Sequence, residues 1–124
     1  MQKLCFDVYK EDSKVGRIEL DGNTIIKNES YFDVSKEPFP PMVNPFIYMK
    51  DGLTVRRYLA TRVVPPNRAN IDVVLDALGL KEYNVYKMLE KIHGAKVDDF
   101  IWLKFDHVPD DGKTWKDINP RRKC

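Results

Sequence analysis

The chain has 124 residues, enough for one domain with a single modest core. It is 43% hydrophobic and 32% charged, too apolar for disorder, and 21 basic against 19 acidic residues give a formal charge of only +2, so no strong long-range field draws nucleic acid. Two cysteines, Cys5 and Cys124, cannot frame a disulfide scaffold, and no apolar run reaches bilayer length, so a cytoplasmic protein without a leader or membrane span is expected.

Lys3 to Tyr9, KLCFDVY, sets Leu4, Phe6 and Val8 on one face, the period of a half-buried strand. After the polar turn KEDSK, Val15 to Leu20 alternates again, with Ile18 and Leu20 inward and Arg17 and Glu19 outward. Asp21-Gly22-Asn23 is a tight-turn signal because Gly22 accepts positive φ, and TIIKNE makes a shorter third strand. The short connections predict an antiparallel meander.

Ser30 to Gly52 carries Pro38, Pro40, Pro41 and Pro45, which forbid a regular ladder, together with Phe39, Phe46 and other apolar residues. The economical reading is a connection lying over the sheet; a peptide-docking surface is the alternative. Three short helices follow. In TVRRYLATR, Thr54 is the expected cap and Val55, Tyr58, Leu59 and Arg62 share a face, until Pro65 and Pro66 stop the helix. In NRANIDVVLDALG, Ile71, Val74, Leu75 and Leu78 form the stripe and Gly79 the stop. In NVYKMLEKIHG, Asn84 is the cap, Val85, Met88, Leu89 and Ile92 the stripe, and Gly94 the close. Asp98 to Phe105, DDFIWLKF, reads as a late strand completing the sheet. The fold class is therefore α+β: a small antiparallel sheet, from the meander plus a late strand, packed with about three short helices. One domain is expected over 1–106 and an extended tail over 107–124, anchored if at all by Trp115.

Little in the chain has the spacing of chemistry. Cys5 lies inside a strand pattern, His93 at a helix end and His107 at the start of the tail, without C-x-x-C or H-x-x-x-H spacing, so no metal, cofactor or catalytic residue is assigned. Asp98-Asp99 and Asp110-Asp111 lack a third ligand or a glycine-turned calcium loop, and the six glycines are scattered turn and cap residues. Of seven arginines, Arg56, Arg57, Arg62 and Arg68 fall close together around the proline corner. At about 100° per residue the first three point different ways, which argues against a groove-reading helix. Arg62, with Pro65 and Pro66, is expected to staple the corner by bonding free carbonyls or an acid. Arg56, Arg57 and Arg68, with Phe39 and Phe46 of the crossover and Trp115, Arg121 and Arg122 of the tail, are the candidate partner-binding residues.

With these elements in order, the chain resembles the N-terminal subdomain of HipA-type toxin kinases, and small stand-alone proteins of that type in toxin–antitoxin loci and mobile elements. The similarity runs from KLCFDVYKEDSKVGRIELDGNTI, with its Val15-Gly16-Arg17-Ile18 step, through KEPFPPM and YLATRVVPPNRANIDVVL, to VYKMLEKIHGAKVDDFIWL. Residues 106–124 carry no kinase motif, so none of the family's catalytic residues is expected here, and the crossover is rich in proline and phenylalanine where the family's is rich in serine and leucine. The resemblance implies a non-catalytic protein-binding regulator, antitoxin-like, that inhibits a larger partner enzyme. An anti-defence inhibitor from a phage or mobile element, such as an anti-CRISPR protein acting on a Cas nuclease, is the alternative. Weak nucleic-acid binding through the arginines, or an enzyme built on Cys5 or His93, are the readings it must beat.

Overall fold

Three antiparallel strands open the chain, β1 (Lys3–Lys10), β2 (Ser13–Asp21) and β3 (Thr24–Ser30). The structure is a computed structural model that describes residues 3–31, 43–96, 100–109, 112 and 114–118. A fourth strand, β4 (Ile101–Phe105), adds antiparallel to the free side of β1, giving the order β3-β2-β1-β4. It starts later than the predicted Asp98; residues 97–99 lie outside the described ones.

The alternation expected from the sequence sets which face is buried. Leu4, Phe6, Val8, Ile18 and Leu20 point inward, and Leu103 and Phe105 join them from β4. Two bulges adjust the register. Val8 pairs with Gly16 while Tyr9 pairs with Lys14, so Val15 is the extra residue and turns inward beside Gly16. Glu19 pairs with Lys27 while Leu20 pairs with Ile25, so Ile26 is extra and its side chain projects into solvent. The second hairpin turns at Gly22, at φ 59°, where a residue without Cβ is unstrained.

Among the described residues three helices pack on the buried face, α1 (Gly52–Ala60), α2 (Ile71–Ala77) and α3 (Val85–Ile92), while α4 (Trp115–Ile118) lies against Tyr9 and Trp102 on the other face of the sheet. The cap of α1 is Asp51 rather than the expected Thr54. The Asp51 carboxylate accepts from the Thr54 backbone amide at 2.8 Å and from its hydroxyl at 3.0 Å, so Thr54 is the residue capped. Asn84 does cap α3, its Oδ1 accepting from the Lys87 amide at 3.1 Å. Val55 and Leu59 of α1, Leu75 of α2, and Met88 and Leu89 of α3 are buried, as their 3.6-residue spacing predicts.

The crossover is pinned over the sheet by polar as well as apolar contacts. Asn44 is wholly buried; its amide donates to the Ser30 hydroxyl at 3.0 Å and its Oδ1 accepts from the Phe46 amide at 3.0 Å. Gly16 makes room for it, since a Cβ there would sit 2.4 Å from the Asn44 amide nitrogen. Phe46, chosen as a partner-binding aromatic, is 0% exposed: it packs on Phe6 with ring centres 5.4 Å apart and on Tyr58 at 5.1 Å. Its ring is the link between sheet and α1, so it cannot reach a partner.

Beyond β4, residues 114–118 form a helical turn anchored by Trp115 where an extended tail is expected. Thr114 and Asp117 close one helical turn, the Asp117 carboxylate accepting from the Thr114 amide at 3.0 Å. Trp115, another candidate for partner binding, is buried with Trp102 and Ala95, and Tyr9 and Ile118 pack on that cluster. Its backbone amide donates to Asp12 at 3.1 Å, tying α4 to the first hairpin.

Candidate protein-interaction site

Arg62 fixes the C-terminal end of α1. It is 2% exposed, and its Nε donates to the Gly94 carbonyl at 2.5 Å while Nη2 donates to the Ile101 carbonyl at 2.9 Å and Nη1 to the Tyr58 hydroxyl at 3.0 Å. The expected staple exists, but it joins the end of α1 to the loop after α3 and to β4, not to α2. Pro65 and Pro66 follow on the exposed side, with a turn closed by the Arg68 amide donating to the Pro65 carbonyl at 3.2 Å. Arg57 and Arg68 are both exposed and belong to separate elements.

Arg56 is positioned differently. Its Nε donates to the Gly22 carbonyl at 2.8 Å, tying α1 to the β2–β3 turn. Its Nη1 donates to the Tyr86 hydroxyl at 2.8 Å, and the guanidinium lies 5.6 Å from the Tyr86 ring centre. These contacts place Arg56 on the wall of a groove of about 490 Å³, where Lys3 from β1 and Lys87 from α3 join it. Glu90 of α3, paired with His107, also lines it. Arg56 was legible as a candidate; Lys3, Tyr86 and Lys87 were not, because they are single polar positions on three elements whose convergence only the fold supplies.

A second surface borders the groove region at the sheet edge. β3 is the terminal strand, and no other strand pairs with its outer side among the described residues. Three large apolar side chains surround it: Ile26 at 55% exposure, Tyr48 at 65% and Leu53 at 43%. Tyr48 is held there because Asn28 of β3 donates to the Phe46 carbonyl at 2.9 Å and to the Met49 carbonyl at 3.3 Å. Leu53 is held there because the Gly52 amide donates to the Asn23 carbonyl at 2.8 Å. The sequence signal for this patch was faint: Ile26 looked like an ordinary strand residue until the bulge turned it outward.

The solvent side of the sheet is a network of charges centred on Arg17. Its guanidinium bonds Asp106 with both terminal nitrogens, at 2.9 and 2.5 Å, Glu19 at 2.8 Å and Asp7 at 3.0 Å. These bonds hold the Asp106 carboxyl below the usual carboxylate range. Cys5 shares this face, and burial, reinforced by the charges of Asp106 and Glu19, pushes its thiol up, away from the thiolate a nucleophile needs. His93 occupies the left-handed position after α3, at φ 56°, with its ring edge toward Trp102.

Among the described residues no group of three or more His, Cys, Asp or Glu could hold a metal ion, and no helix is long and apolar enough to cross a membrane. Phe39, Arg121 and Arg122, like Asp98-Asp99 and Asp110-Asp111, lie outside the described residues. Comparison with family models, with curated proteins and with solved structures finds no match in any of the three, so the likeness to HipA-type subdomains rests on the sequence motifs alone.

Proposed function

We propose that the protein is a non-catalytic, protein-binding regulator that inhibits a larger partner enzyme by covering part of its surface. The observation that carries this reading is the apolar margin of β3, whose outer side pairs with no strand among the described residues, formed by Ile26, Tyr48 and Leu53. Large side chains gain from leaving water, and an unpaired strand edge offers backbone groups to a partner strand. The charged face around Arg17 has the opposite character, since its acids and bases already satisfy one another. The partner named first is a HipA-type toxin kinase, on the sequence resemblance; a defence nuclease such as a Cas protein is the alternative for the same mode of binding. The dispersal of Arg56, Arg57, Arg62 and Arg68 over separate environments argues against nucleic acid as the main partner.

The test is co-purification of the tagged chain from the host that encodes it, followed by titration of the recovered enzyme. One stoichiometric enzyme, its activity falling as the protein is added, is expected, and Ile26→Lys with Tyr48→Lys should weaken capture by about tenfold or more, as central apolar contacts do. A chain that recruits no enzyme, or one captured equally well by the double variant, overturns the reading.

A further inference from the structure

The groove between β1, α1 and α3 has a charge that its own walls leave unbalanced. Three cations face it, Lys3, Arg56 and Lys87, and its one acid, Glu90, is engaged by His107. Lys3 and Lys87 are exposed and form no ion pair among the described residues. Arg56 spends Nε on Gly22 and one Nη1 proton on Tyr86, which fixes the guanidinium plane and leaves its Nη2 end directed elsewhere. The Nη2 protons remain to donate a charge-assisted bond to a carboxylate. The Tyr86 ring and the Leu4 side chain add apolar wall beside the charges.

We infer that this groove receives an acidic peptide segment of the partner, with Arg56 binding a carboxylate through Nη2 and Lys3 and Lys87 the flanking charges. Phosphate is the competing anion, because α3 begins at the groove and helix starts bind phosphate through free amides. Here the Asn84 side chain already accepts from the Lys87 amide at 3.1 Å, so that donor is spent within the protein. The first-turn amides of Val85 and Tyr86 remain, but the charged donors Lys3, Arg56 and Lys87 stand on three separate elements around an open groove, an arrangement that matches successive acidic side chains better than one compact phosphate. The inference rests on the regulator reading, to which it adds the chemistry of the partner's segment.

The probe is a fluorescein-labelled octapeptide of glutamate, read by fluorescence anisotropy, with the glutamine octapeptide as neutral control. The native chain is expected to bind the glutamate peptide, more weakly as salt rises from about 20 to about 200 mM. Lys3→Glu with Lys87→Glu should weaken binding by about tenfold, while Lys81→Glu, an exposed lysine on another surface, should change it less than about twofold. Amide shifts in the NMR spectrum should move at residues 84–90, and the melting temperature of each variant checks that the fold is kept. Equal loss in Lys81→Glu, or no shift at 84–90, would make the attraction diffuse and overturn the inference. So would complete displacement by inorganic phosphate at millimolar concentration. Because the assay contains no host enzyme, its failure alongside successful co-purification would remove the groove and leave the regulator reading standing.

Discussion

Arg62 is the residue on which the packing of three elements converges. The stripe Val55, Tyr58, Leu59 and Arg62 was visible in the sequence, and so was a role in bonding free carbonyls. The identity of those carbonyls was not, because Gly94 and Ile101 are brought to the end of α1 by long-range folding rather than by the proline corner. Arg62→Lys keeps the charge but cannot hold both carbonyls in one plane. Leaving a buried carbonyl unpaired costs about 1–3 kcal/mol, so a loss of about 2–4 kcal/mol is expected in chemical denaturation. Arg57→Lys, on the exposed side of the same helix, should change stability by less than about 0.5 kcal/mol. Equal effects of the two substitutions would show that the buried guanidinium contributes nothing through its fork.

Among the elements, those with several turns or strand repeats were legible because they repeat a pattern. Leu4, Phe6 and Val8 announced β1, and Met88, Leu89 and Ile92 announced α3, with Asn84 as its cap. The bulge at Val15 is marked only by one residue out of phase with Ile18 and Leu20, and at Ile25-Ile26 two adjacent isoleucines leave the phase open. α4 escaped for a different reason: four residues are too few to show helical periodicity. Its anchor is a tryptophan whose partners, Trp102 and Ala95, lie earlier in the chain. Trp115→Ala should therefore behave as a core truncation, costing about 3 kcal/mol and lowering the melting temperature by several degrees. An unchanged melting temperature would return Trp115 to the set of partner-binding residues and leave α4 marginal to the fold.

For the molecule as a whole, the near-neutral sum of charges conceals two unlike surfaces: cations facing an open groove, and an outer sheet face where Arg17 gathers Asp7, Glu19 and Asp106. The second surface gives the fold a pH dependence with a definite sign. Hydrogen bonds from Arg17 hold Asp106 below its ordinary pKa in the folded chain. Asp51 is lowered in the same direction, by the Thr54 amide it caps. A carboxyl with a depressed folded pKa binds fewer protons in the native than in the unfolded state. The stability it contributes is thus complete above the unfolded value, about 3.9 for aspartate, and disappears as pH falls through the folded one. Solvent reaches Asp106 and screens its pairing, so the effect is a modest slope rather than a cliff. Thermal unfolding followed from about pH 6 to about pH 2 should show the melting temperature falling on the acid side, and Asp106→Asn should flatten that fall while lowering the value at pH 6. Arg17→Gln should flatten it in the same way, because it removes the bonds that lower Asp106. An acid limb of the same steepness in all three proteins would mean that the network is spectator charge and that some other carboxylate sets the molecule's response to acid.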